Sequence, residues 1–429
     1  MSGMTAATTG IVDPRHSADV VVIGAGIVGL SAALELQQRA RKVVIIDPDL
    51  PRARASFGNE GVISRGSIFT VAGPAIWGKA LRYLLNRDSA LRIRYSAFPY
   101  FARWLTHFLS CCNESRWRKS AAALNPFVGA AYDHHARLAG YAGAANLVKR
   151  EGYLRLFRHE RTFNSTARER DMLSAAGVRN SLVRKPEIRD LEPSLADSFS
   201  HGLFFPDTGC VDSPGRLVEL YRQAFCAHGG TLIGARARAL EPSPSAVAVH
   251  LDSGNSLRGT HAVVAAGVWS SELIAPLGYR IPFTAERGYH VHLALRPGAR
   301  LNRPILDTEM NYGAAQMGDS IRLCTGIELA RPDDAPDYTQ LKLAMRAARL
   351  ILPVGAALHD SEWVGSRPST ADGLPIIGRA PRHPQLLFAF GHGHIGFSTG
   401  PLTGRIIGAL ITDEAPPVPI SPFAIGRFA

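Results

Sequence analysis

The segment Asp19–Asp47 reads "DVVVIGAGIVGLSAALELQQRARKVVIID". Its opening "DVVVI" (Asp19–Ile23) is continuous and β-branched, the pattern of a strand buried on both faces. In "IVGLSAALELQQR" (Ile27–Arg39) the residues Ile27, Leu30, Ala33, Leu34 and Leu36 recur at helical spacing, and "KVVIID" (Lys42–Asp47) is a second buried strand. The glycines Gly24, Gly26 and Gly29 fall at the strand-to-helix turn. Gly24 permits the tight turn, Gly26 lets a pyrophosphate approach the backbone, and Gly29 lets helix and strand pack closely. The anion would lie at the positive end of a helix beginning near Ile27. Asp47 closes the second strand about 20 residues on, where a carboxylate meets ribose hydroxyls. The segment predicts a β-α-β dinucleotide site.

The rest of the chain narrows the class. With 429 residues two domains are expected, and 46% hydrophobic with 20% charged residues is an ordinary globular balance. No apolar run approaches the ~18–20 residues of a membrane span. The opening residues lack a basic start followed by an apolar block and read as a loose tail over 1–17. Five cysteines without C-x-x-C or ligand spacing predict a reduced, cytoplasmic setting with neither disulfides nor a metal site. The net charge of +12 comes from arginines scattered along the length, without the basic stripe and reading motif of a nucleic-acid binder.

A nicotinamide enzyme would continue in regular β-α-β units, and this chain does not. After Asp47 comes the loop "PDLPRARASFGNEGVISRGS", in which Arg52 and Arg54 either reach phosphates or stay exposed, followed by long helical stretches. The strand-like "THAVVAAGVWSSEL" (Thr260–Leu273) arrives far downstream, then "VGSRPSTADGLPIIG" (Val364–Gly378) and "GHGHIGF" (Gly391–Phe397). These four blocks, in this order, make the chain resemble the FAD-dependent amino-acid and amine oxidoreductases. The likeness runs from about Asp19 to about Ile411 and leans toward the bacterial D-amino-acid dehydrogenase branch.

The resemblance implies an α/β architecture: a Rossmann-like FAD domain (18–66, 198–280 and 359–429) and an α+β substrate domain with a mixed or antiparallel sheet (67–197 and 281–358). It implies non-covalent FAD, since the cysteine near Gly365 that covalent relatives use is missing. FAD contacts carry over to Gly24, Gly26, Ile27, Gly29 and Asp47, to Ser56, Asn59, Gly61 and Val62, to Ala237, Ala266 and Gly267, and to Gly391, Gly393, Ile395 and Gly396. Arg367 matches the family's carboxylate-binding arginine, and a guanidinium suits a planar carboxylate bidentately. Tyr312 stands where relatives carry a substrate-facing tyrosine, though a half-buried strand tyrosine is an equal reading. His394 is read as facing substrate or flavin, and His392 as structural.

The activity implied is oxidative deamination of D-amino acids: hydride transfer from Cα to flavin, then hydrolysis of the imine to a 2-oxo acid and ammonia. A cyclic or secondary amine is the alternative substrate, and a non-catalytic flavoprotein subunit the alternative role. No dedicated base is assigned. Electrons would pass to a quinone or another respiratory acceptor. The segment "AIWGKALRYLLNRDSALRIRYSAFPYFARWLTHFL" mixes Trp77, Tyr83, Tyr95 and Trp104 with Lys79, Arg82, Arg87, Arg92, Arg94 and Arg103. It reads either as a peripheral anchor on the inner face of the membrane or as helices packing an apolar stripe inward.

Overall fold

The computed structural model describes residues 17–428, so most of the segment read as a tail lies outside the described residues. Among the described residues the strands form sheets of eight, eleven and three. In the eight-stranded sheet, Thr231–Gly234, Val43–Asp47, Ser17–Ile23, Ser256–Val264 and His383–Phe390 run parallel in that spatial order. The unbroken apolar runs Val20–Ile23 and Val43–Ile46 at its centre follow from burial on both faces. Ala237–Pro242 and Val247–Leu251 extend the sheet as an antiparallel hairpin along the first half of Ser256–Val264. Ile376–Ala380 closes the other edge.

Helix Ile27–Gln37 is buried along most of its length, between the sheet and the helices Pro214–Ala227 and Gly396–Ile411. Gly404 makes this possible, because a Cβ there would stand 2.5 Å from the Ser31 carbonyl carbon. The two helices touch backbone to backbone.

The eleven-stranded sheet is built around the long strand Phe283–Leu295, flanked by Ser320–Thr325 and Trp363–Thr370. Tyr312–Met317, Ile305–Asp307, Tyr153–Phe157, His201–Phe205 and Ser181–Arg184 continue it in that order. It is mixed: Ile305–Asp307 pairs in parallel with Tyr153–Phe157, while most other pairs are antiparallel.

The sheets correct the expected division of the chain. His201–Phe205 and Trp363–Thr370 belong to the large sheet, although the boundaries at 198 and 359 put them with the nucleotide sheet. Sheet membership is set here by Tyr153–Phe157 and Phe283–His290, more than forty residues away, which local composition does not report. Helices Glu114–Gly129 and Ala131–Tyr141, expected in the substrate domain, bury Leu124, Phe127 and Leu138 in the core shared with Ile27–Gln37 and Gly396–Ile411. The proline-rich C-terminal segment packs inward, with Phe423 fully buried in that core. The stretch after Ser67 is less helical than its composition suggests. It breaks into Pro74–Lys79, Ala80–Leu84, the short strand Leu91–Ile93 and helix Phe98–Cys111. Asn86, with φ +53°, turns the chain, and Pro99 sits in the first turn of the next helix.

Candidate active site

One continuous cavity of about 970 Å³ runs from the N-terminal glycine turn to the exposed face of the large sheet. Its first end is built by the β-α-β unit. Gly24 has φ +108° and passes so close to Ala265 that a side chain would collide with that backbone. Gly29 abuts the Gly24 carbonyl, and this leaves no room for a Cβ. Gly26 faces the cavity at the N-terminus of helix Ile27–Gln37, whose first turn carries no acid. The positive end of that helix is therefore open to an anion. The Ser56 hydroxyl accepts the Ile27 N–H at 3.1 Å, tying the next loop to this turn.

Asp47 lines the cavity, as do Ala237, Ala266 and Gly267. Its carboxylate accepts the Ala25 N–H at 2.7 Å, the Asp49 N–H at 2.8 Å and Nη2 of Arg54 at 2.7 Å. A carboxylate has about four acceptor sites, so one remains for a hydroxyl. Asn59 and Val62 also line the wall, and Asn59 Oδ1 accepts the Gly61 N–H at 2.8 Å. Gly393, His394 and Gly396 complete it at the N-terminus of helix Gly396–Ile411. Gly29, Gly61, Gly391 and Ile395 do not line the cavity and lie behind its wall. Gly61 and Gly391 supply positive-φ turns, and Ile395 packs into the core. Helix poles along it and a cleft of this volume would suit a dinucleotide.

The far end is a sheet face, and strand parity decides what stands on it. Gly288 pairs with Gly365, His290 with Trp363 and Cys324, Cys324 with Gly313, and Glu286 with Arg367. Paired residues of an antiparallel ladder share a face, so these side chains all point one way. The Arg367 guanidinium lies across Gly288, where a Cβ would collide with it, and donates Nη1 to the Gly326 carbonyl at 3.2 Å. Burial pulls its pKa down while Glu286, Cys324 and Glu60 pull it back up, and an arginine stays cationic throughout.

Tyr312 is the residue that parity removes. It pairs with Thr325, one step out of phase with Gly313, so its ring enters the core on the opposite face. There its hydroxyl faces the Arg158–Asp307 pair, and burial drives its pKa up. The cavity-facing neighbour is Gly313.

His394 and His392 part ways. Nε2 of His394 lies 2.8 Å from Oε2 of Glu286 at the cavity wall beside Arg367. Burial works to raise the Glu286 carboxyl, but the bond to His394 and the charges of His394 and Arg367 hold it below its usual range. His392, in contrast, bonds Thr403 at 3.0 Å, and burial pushes it down to about 3. It is a neutral structural histidine.

Three groups in this end escaped the sequence reading: Glu60, Glu286 and Cys324. Glu286 had a signal, the only acid in the strand-like stretch "FTAERGYHVHLAL" (Phe283–Leu295). Glu60 also had one, as the only acid in "SFGNEGVIS". Burial, with the Glu60 charge, pushes the Cys324 thiol up to about 12.

Comparison with known proteins adds the following. Residues 19–410 match the family described as FAD dependent oxidoreductase. A D-amino-acid oxidase of Bradyrhizobium diazoefficiens is 32% identical over 96% of this chain and 99% of its own length. A D-amino acid dehydrogenase of Rhizorhabdus wittichii is 31% identical over 95% of this chain and 100% of its own. The glycine oxidase of Geobacillus kaustophilus superposes with a TM-score of 0.76, covering 97% of this chain and 100% of that one, at 19% identity.

Proposed function

This chain belongs to the FAD-dependent oxidoreductase family, and from that premise we propose that it oxidises D-amino acids to 2-oxo acids and ammonia. The observation that carries the reading is Arg367, a half-buried guanidinium laid on a glycine floor at the sheet end of the cavity. FAD, when bound, supplies the two-electron acceptor for the hydride leaving Cα. The chain's own residues do the positioning. Arg367 takes the carboxylate in a forked contact and so fixes where Cα points. The Glu286–His394 pair borders that contact, and Glu286 adds a negative charge beside the guanidinium from the neighbouring strand. The glycine turn and Asp47 hold the pyrophosphate and ribose, and the loop from Ser56 to Val62 borders the flavin. The cofactor is non-covalent in this reading, because attachment through sulfur needs a thiolate and Cys324 is held protonated.

The relatives' names, a D-amino-acid oxidase and several D-amino acid dehydrogenases, support the D-stereochemistry and leave both oxygen and a quinone as acceptors. No helix among the described residues is long and apolar enough to cross a membrane. A peripheral site is our reading, on the cytoplasmic face. Trp77, Leu81, Leu84, Tyr95 and Phe98 each expose half or more of their surface. The exposed Lys79, Arg82, Arg87 and Arg103 interleave with them, which complements an anionic lipid surface. Trp104, in contrast, is buried and stacks on Phe108, so it takes no part.

Anaerobic mixing of the yellow protein with D- and L-amino acids tests the activity. Bleaching by D-enantiomers alone is expected, and reduction by L-enantiomers, or by no amino acid, refutes it. Re-oxidation in air against a soluble quinone then separates oxidase from dehydrogenase. Flotation with phosphatidylglycerol vesicles, reversed by salt, tests the peripheral site.

A further inference from the structure

Glu60 is held in the cavity by its neighbours with unusual thoroughness. Arg322 Nη1 donates to the carbonyls of Phe57, at 3.1 Å, and Asn59, at 2.6 Å, fixing the loop from the sheet below. The carboxyl group lies flat on Gly313, where a Cβ would collide with both of its oxygens. Among the described residues its Oε1 has no hydrogen-bond partner, although it is fully buried. Buried carboxylate oxygens are nearly always satisfied, so this carboxyl, which borders the cavity, is short of a donor.

The donor's identity follows from the sheet. Gly313 pairs with Cys324, and Gly326, whose carbonyl holds Arg367, follows two residues after Cys324, just past the end of Ser320–Thr325. Arg367 and Glu60 both line the cavity, close enough for the guanidinium to pull the Glu60 carboxyl down. The cation suits a substrate carboxylate, and the unpartnered carboxyl an ammonium.

We propose that Glu60 receives the proton of the substrate's α-ammonium group. The inference rests on the amino-acid oxidation proposed above and supplies the base that the sequence reading did not assign. One N–H bond of the ammonium breaks, its electron pair stays on nitrogen, and an O–H bond forms on Glu60. Ammonium and carboxylate become amine and carboxylic acid, with charge balanced. The nitrogen then carries the free pair that loss of hydride from Cα requires.

The surroundings suit the task. Burial raises the Glu60 carboxyl to about 7, against the lowering pull of Arg367 and Arg322. Both protonation states are therefore accessible near neutrality. The other titratable neighbours do not compete in this range. Cys324 and Tyr153 are held protonated by burial beside Glu60, and burial leaves His290 and His292 neutral. Arg322 is committed to backbone carbonyls and to His292, and Glu286 to His394.

Flavin reduction by D-alanine is to be followed anaerobically from pH 5.5 to 9 in the wild type, Glu60→Gln and Glu60→Asp. Benzoate, which has a carboxylate and no amine, probes the anchor alone through its perturbation of the flavin spectrum. Infrared titration of the carboxyl stretch reads Glu60 without turnover. The wild-type rate should rise through about pH 7 to a plateau, and an infrared band should titrate there and vanish in Glu60→Gln. That variant should reduce 10²- to 10⁴-fold more slowly near neutrality. Its rate should climb tenfold per pH unit, and its benzoate affinity should stay within about threefold. Glu60→Asp should regain part of the rate and the rising limb.

A Glu60→Gln enzyme that keeps both rate and limb overturns the proposal. So does a loss confined to D-arginine and D-lysine, which would make Glu60 a reader of the side chain, and so does loss of benzoate binding, which would make it a structural prop. A wild type that no amino acid reduces refutes the underlying function instead, before any variant is compared.

Discussion

Replacing Arg367 by methionine removes the guanidinium and keeps much of the apolar stem. In the structure this cation has one bond within the chain, to the Gly326 carbonyl, and otherwise faces the cavity. A carboxylate bound in a fork makes two charge-assisted hydrogen bonds, each about 1.5–3 kcal/mol. The loss is therefore about 3–6 kcal/mol, or roughly 10²- to 10⁴-fold in affinity. Part of this arrives indirectly, because Arg367 also holds down the Glu60 and Glu286 carboxyls. Without it both titrate higher and the site repels a carboxylate less at low pH than at high pH. Benzoate titration of the flavin spectrum reads the affinity, and anaerobic reduction by D-alanine reads the rate. FAD content per chain should not change, because the glycine turn sits at the other end of the cavity. Arg367→Lys keeps the charge without the fork and should recover only part of the loss. A methionine variant that binds benzoate within threefold of the wild type refutes the assignment.

Other outcomes follow from the same geometry. Tyr312→Phe should leave the reduction rate and benzoate affinity within twofold, because the hydroxyl lies across the sheet from the cavity; a tenfold loss in either would restore the tyrosine to the site. Gly29→Ala forces a Cβ into the Gly24 carbonyl, so the variant should purify with little flavin and a lowered melting temperature; full flavin absorbance would show that the turn adapts. Burial holds His135 down to about 4 and His290 and His392 down to about 3. Each would take a proton near 6.5 once unfolded, so the unfolded state binds more protons below that pH and stability falls as pH drops from 6.5 toward 4. The slope is about 1.4 kcal/mol per pH unit per histidine, fully relieved above 6.5. Urea midpoints between pH 4 and 8 check this, and a flat profile below 6.5 would contradict it.

What the sequence discloses and what it hides divide along a physical line. The nucleotide end is local: strand, turn, helix and strand follow within thirty residues, and each glycine has a reason visible in its neighbours. The apolar run of Val20 to Ile23 can only be a buried strand if Val43 to Ile46 lies beside it, and they do pair. Arg367 was legible through its proline-bearing motif. The substrate end is non-local. Its strands come from residues 91 to 370, and neither the membership of His201–Phe205 nor that of Trp363–Thr370 can be read from their own compositions. Tyr312 shows how narrow the margin is. One step of register separates a residue on the cavity from one in the core, and no propensity reports which face a given strand turns inward.

The acids tell the same story from the other side. Glu60 and Glu286 stand in apolar surroundings where a charge costs several kcal/mol unless it is compensated. Glu286 is compensated by His394 and Arg367, and it is held ionised. Glu60 is only partly compensated, since Arg322 is spent on the backbone beneath it and Arg367 on the Gly326 carbonyl. Two carboxyls on one sheet face thus divide by their partners into one fixed as an anion and one free to gain and lose a proton. Gly288 and Gly313 make the division possible, since a side chain at the first would displace the guanidinium and one at the second the Glu60 carboxyl. The chemistry of this face therefore depends as much on two missing Cβ atoms as on the charged groups that lie over them.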